Sequence, residues 1–172
     1  GNNVTKMIAT FARCSNLKSV SKLPDKLIDM ERTFYNTSIE YSPTIPNEVT
    51  NLDRTFLNCS NLKEAPNIPN KVQCMRWTFQ YCTSLETPPP LIPNSVNNMQ
   101  WTFDGCIKLK GSIKIDANLT GKIIEDEVES GWVDYRGCFK NACIDSKLEV
   151  YGDCTILYEM VNEANNINIV LK

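Results

Sequence analysis

Apolar residues along the chain return in the same order about every 23 residues. A Thr-Phe pair recurs at Phe11, Phe34, Phe56, Phe79 and Phe103, at intervals of 23, 22, 23 and 24. Three positions after each Phe stand Cys14, Thr37, Cys59, Cys82 and Cys106, and six after stand Leu17, Leu62, Leu85 and Leu109, with Ile39 one residue early. Farther on come Leu27, Val49, Val72 and Val96, then Met30, Leu52, Met75 and Met99. A fixed period of this length marks a repeat array in which each unit buries its apolar face against the next.

The two halves of a unit carry different periods. From Val72, Met75 and Phe79 follow at +3 and +7, which places all three on one face of a helix. That spacing predicts a short helix in each unit. Asp25, Asn47, Asn70 and Asn94, each directly after Pro, are the expected N-caps. Asn36, Asn58 and Gly105, two after Phe, tolerate the left-handed conformation of a helix end, while Arg13 and Tyr81 depart from that rule. The other half, Leu62 to Ile68 and its counterparts, is too short and too rich in proline for a helix and reads as an extended segment, irregular on its exit side. Strands stack about 4.8 Å apart and helices about 8–10 Å, so such a stack curves with its strands on the concave side.

The array begins partway through a unit, since Val4 to Thr10 matches Val72 to Thr78 at the apolar positions. After Phe103 the next matching Phe is Phe139, 36 residues on, which implies an insertion of 13 residues, placed at Asn118 to Gly131. Ile113 and Ile115, Leu148 and Val150, and Ile167, Ile169 and Leu171 alternate as in strands, and Val161-x-x-Ala164 echoes the unit. The expected organisation is one α/β solenoid domain over residues 1–172: regular repeats over about 3–115, an insertion over about 116–131, and degenerate repeats with a C-terminal cap over about 132–172.

Composition narrows the function. The 18 basic and 20 acidic residues nearly cancel, which argues against nucleic acid as a partner. No apolar run approaches the length of a membrane span. Gly1 reads as a vector scar, so the start of the sequence is silent about export. The chain has eight cysteines and no histidine, hence no side chain of the commonest general base and metal ligand. Cys-x-x-Cys and Gly-x-Ser-x-Gly are absent, and Thr120-Gly121-Lys122 lacks the flanking residues of a phosphate loop. The acidic run Glu125 to Glu129 lacks the order of a calcium loop and reads as a solvated segment. No catalytic residue, metal site or cofactor is expected.

Asn-Cys-x-x-Leu, Ile-Pro-Asn-x-Val and Thr-Phe at this period, as in Asn58 to Leu62, Ile68 to Val72 and Thr78-Phe79, resemble the BspA-like, treponemal-type leucine-rich repeats of bacterial surface proteins. The resemblance covers residues 3 to about 110 closely and the remainder loosely. It implies a right-handed leucine-rich-repeat solenoid that is extracellular or displayed at the cell surface and used for binding or adhesion.

Two surfaces are candidates for that binding. The slot two before Phe holds Ala9, Arg32, Arg54, Trp77 and Trp101, directed away from the buried face. Arg32, Arg54, Trp77 and Trp101 form either a mutually stacked cover or a strip for a protein partner or a glycan, since Trp and Arg dominate interface hot spots. The slot two after Leu holds Ser19, Tyr41, Glu64, Thr87 and Gly111, a varied polar strip on the presumed concave side that serves a ligand or simply water. A structural spacer of the cell envelope is the alternative with no partner at all. Cys14, Cys59, Cys82 and Cys106 are expected as a buried column, Cys74 as solvent-facing, and Cys138, Cys143 and Cys154 as cap residues able to form a disulfide.

Overall fold

The computed structural model describes residues 3–116, 135–143, 148–152 and 167–171. Each repeat is one coil of a parallel stack. Alternate amides of a coil bond to the next coil: Met30, Arg32, Phe34 and Asn36 N–H donate to the carbonyls of Asn51, Asp53, Thr55 and Leu57 at 2.9–3.0 Å. The amides between them stay inside the coil. Thr33 donates to Met30 O at 3.0 Å, Tyr35 to Arg32 O at 3.1 Å and Thr37 to Phe34 O at 3.2 Å, a succession of tight turns. The same two sets recur in the coils that contain Phe56 and Phe79.

This arrangement replaces the expected helices, for no helix occurs among the described residues. The +3 and +7 spacing is real, and Val72, Met75 and Phe79 are fully buried. It arises because bonds from residue i+3 to residue i, interrupted by left-handed residues at every fourth position, bring the chain inward about as often as a helix does. Pro-Asn starts a turn instead of capping a helix: Leu27, Val49, Val72 and Val96 N–H each donate to the preceding Pro carbonyl at 3.1 Å. The helix-end expectation survives in another setting, as Asn36, Asn58 and Gly105 have φ of 55°, 61° and 72°. Arg13 and Tyr81 share that conformation, with φ of 64° and 59°.

The Thr and Cys of the repeat follow directly after left-handed residues and staple coils together. Thr33, Thr55, Thr78 and Thr102 Oγ1 donate to the carbonyls of Met7, Met30, Leu52 and Met75 in the preceding coil, at 2.7–2.8 Å. Cys59, Cys82 and Cys106 Sγ donate in the same way to Phe34, Phe56 and Phe79 O at 3.0–3.1 Å. A small buried donor is required at each site, which is why the slots hold Thr and Cys rather than larger apolar residues.

Inside the stack the phenylalanines form a ladder from Phe11 through Phe34, Phe56, Phe79 and Phe103 to Phe139, with ring centroids 5.4–5.6 Å apart. That spacing is strand-like. It removes the wider helical side from which curvature was expected.

On the proline-bearing side the ladder shrinks to single bridges, Tyr41 with Glu64 and Glu64 with Thr87, because proline has no N–H to give. Farther along it lengthens into a four-stranded parallel sheet of β1 (Leu91–Ile92), confined to two residues between Pro90 and Pro93, and the proline-free β2 (Gly111–Ile115), β3 (Leu148–Gly152) and β4 (Ile167–Leu171), in that order. In β2, Ile113 and Ile115 point into the core and Ser112 and Lys114 outward.

Three expectations about cysteine change. Cys14 is exposed rather than buried, since it lies in the first described coil. Cys74 is half-buried rather than solvent-facing. Its slot points into a turn, where Asp29 and Asn51 use Oδ1 to accept Glu31 and Asp53 N–H. Cys138 and Cys143 are both buried, Cys138 as a free thiol. Burial pushes the Cys82, Cys106 and Cys138 thiols well up and that of Cys143 up to about 12, so all four are uncharged at neutral pH. Cys154, the acidic run, Val161-x-x-Ala164 and the expected insertion from residue 117 onward lie outside the described residues.

Candidate functional site

The first candidate stripe occupies one turn position in successive coils. Arg32, Arg54, Trp77 and Trp101 have φ of 53°, 54°, 52° and 51°, the third position of a turn that ordinarily favours Gly or Asn. In the next coil the slot is Gly137, also left-handed at φ 59°. The side chains therefore leave the coil at one corner and stack along the axis. Trp77 and Trp101 lie nearly parallel, centroids 5.3 Å apart, and the Arg54 guanidinium covers Trp77 at 3.8 Å. Trp101 rests on Gly137 so closely that a Cβ there would lie 2.2 Å from the indole. The four residues are brought together as a half-buried strip.

Two residues outside the sequence reading complete it. Asp53, nine-tenths buried, accepts from Arg54 Nη1 and Arg76 Nη2, each at 2.8 Å on the same oxygen. Arg76 also lies over Trp77 at 4.5 Å. Burial lowers the Arg54 pKa, whereas the hydrogen bond to Asp53 raises that of Arg76. A signal for this pair was present in the sequence, since acid-Arg-Thr-Phe occurs twice, at Glu31-Arg32 and Asp53-Arg54. Glu31 bonds its neighbour Arg32 in the same manner.

The second strip is also placed in line. Tyr41, Glu64 and Thr87 are joined by the single bridges, and all three, like Ser19, are exposed. One position earlier runs a ladder of alternating charge through Lys18, Glu40, Lys63, Glu86 and Lys110, with Lys18–Glu40 at 3.7 Å and Lys110–Glu86 at 2.7 Å. Lys63 lies 5.6 Å from the Tyr41 ring centre. The two strips fall on different parts of the coil, separated by the buried Phe and Leu slots. Open grooves of about 430 and 520 Å³ lie between proline turns, lined in part by Asn47, Ile45 and Thr44. Among the described residues no group of three or more Cys, Asp or Glu is placed to hold a metal ion. No helix among them is long and apolar enough to cross a membrane.

Stacked coils with Phe, Leu and Val columns define a repeat solenoid of the leucine-rich class. A family model for the BspA type leucine rich repeat region matches residues 6–110 in six copies, and the chain belongs to that family. The family consists generally of non-enzymatic modules for protein interaction. No curated protein and no solved structure matches the chain.

Proposed function

We propose that this chain is a protein-binding module, displayed outside the cell, whose partner docks on the corner formed by Arg32, Arg54, Trp77 and Trp101. One observation carries the reading. Four consecutive coils hold Arg or Trp in a left-handed conformation that costs roughly 1–2 kcal/mol for any residue with a Cβ. Backbone preference alone would choose Gly or Asn, as at Gly137 and Asn58. Mutual stacking offsets part of that cost and leaves a rigid strip of the residue types that dominate interface hot spots.

A glycan is a poorer fit. Sugar rings pack on an open indole face, but Trp77 is covered by Arg54 and Trp101, and Trp101 by Trp77 and Gly137. The second strip stays in contention because Tyr41 is 55% exposed, the most exposed large apolar side chain among the described residues. A spacer with no partner is the remaining alternative.

The test is a screen of extracellular proteins and glycans against the domain and its Trp77→Ala/Trp101→Ala variant, with thermal melting to establish that the variant folds. The expected result is a protein hit that the variant binds at least about tenfold more weakly, a loss of about 1.4 kcal/mol. A hit kept by the variant and lost by Tyr41→Ala would move the site to the second strip. Absence of any hit would favour the spacer.

A further inference from the structure

We infer that the partner presents an acidic protein segment, whose carboxylates meet arginines concentrated at this corner; the inference rests on the binding reading above. The chain has five arginines, Arg13, Arg32, Arg54, Arg76 and Arg136. All five fall in the seven-residue corner turns, residues 7–13, 30–36, 52–58, 75–81, 99–105 and 135–141, which hold 42 of the 172 residues. Lysine behaves oppositely: of 13, only Lys140 lies in these turns. Basic charge as such is therefore not what the corner collects. It collects the planar guanidinium, which stacks on flat rungs and offers a fork to a carboxylate.

The charges there do not balance. In the first four of these turns four arginines, Arg13, Arg32, Arg54 and Arg76, stand with two carboxylates, Glu31 and Asp53, on a chain of net charge −2. Asp53 serves two guanidiniums with one oxygen. Arg13 stands beside the strip, at the second left-handed position of its coil with Asn36 and Asn58; it is exposed, makes no ion pair among the described residues and lies 5.9 Å from the Tyr35 ring centre. Among the described residues Arg32 is paired only with its sequence neighbour Glu31, and its side chain is 42% exposed, so a partner's carboxylate can compete for it. Because the rest of the chain is net negative, it repels a long polyanion extending past the strip. A short acidic segment lying along the strip meets no such opposition.

The experiment measures anisotropy of a labelled peptide of alternating Glu and Ser, beside a Lys-Ser peptide and labelled heparin, at low and raised salt. The Glu-Ser peptide is expected to bind, to weaken as salt screens the contact, and to lose about tenfold or more in Arg13→Gln/Arg32→Gln but not in Lys63→Gln, which lies outside the corner. Equal binding of the Glu and Lys peptides, or binding of heparin alone, would overturn the inference. The failures are separable. A protein hit that needs Trp77 and Trp101 but ignores salt and the Arg13/Arg32 change overturns only the acidic partner. A hit indifferent to the tryptophans overturns the corner itself.

Discussion

Phe79→Ala is expected to destabilise the fold by about 3–5 kcal/mol, the cost of a large cavity in a packed core. Phe79 is fully buried in the middle of the ring ladder, 5.6 Å from Phe56 and 5.5 Å from Phe103. Removing it takes away ring contacts on both sides, and the backbone cannot collapse into the gap because Phe79 N–H is tied to Thr102 O and Cys106 Sγ to Phe79 O. Phe11 supplies the internal comparison: it is only half-buried and stacks on one described ring, Phe34. Urea titration should show a clearly smaller loss for Phe11→Ala than for Phe79→Ala. Equal stability of the Phe79 variant and the parent would remove the ladder as the core of the fold.

Asp53→Ala should be nearly as damaging, at about 2–4 kcal/mol, because truncating one partner of a buried ion pair strands the other. The lower end reflects the exposure of Arg76, whose side chain is about a third accessible. With the carboxylate gone, Arg54 and Arg76 repel one another across the face of Trp77. Both guanidiniums should leave the indole, so the Trp emission should shift along with the loss in melting temperature. Arg54 and Arg76 cannot find a substitute nearby, since Glu31 already bonds Arg32. Asp53 Oδ1 and Arg76 Nε have no partner among the described residues, so the network is already only partly satisfied before the carboxylate is removed. An Asp53→Ala protein with parental stability and emission would show that the pair does not hold the stripe.

The repeat, its buried columns and the adjacency of Arg32, Arg54, Trp77 and Trp101 were legible because each depends on periodicity, which the sequence displays directly. Turns stand where the spacing predicts helices, for a physical reason. Val72, Met75 and Phe79 at +3 and +7 satisfy a helix, and they satisfy equally a chain of turns with left-handed Trp77 and Tyr81; side-chain pattern cannot separate the two. What separates them is where the backbone N–H points. A residue such as Trp77 or Arg54 gives no warning that its φ is positive, because that conformation is usually reserved for Gly and Asn. The clue lay in slots that hold both kinds of residue, Tyr81 beside Gly105 and Asn58, since one backbone must serve all of them. The burial of Asp53 is not legible in its own repeat because it depends on Arg76 in the following coil. The thiol of Cys74 was misplaced for lack of the Asp29 and Asn51 turn geometry.

The corner exists only if the coils are closed by turns and bonded along the axis, and hydrogen-bond scalar couplings on labelled protein read those bonds directly. The structure predicts a coupling from the Phe56 amide nitrogen to the carbonyl carbon of Thr78, the bond seen at 2.9 Å. A coupling from Phe56 to the Leu52 carbonyl carbon, four residues back, would mean a helix and would contradict it.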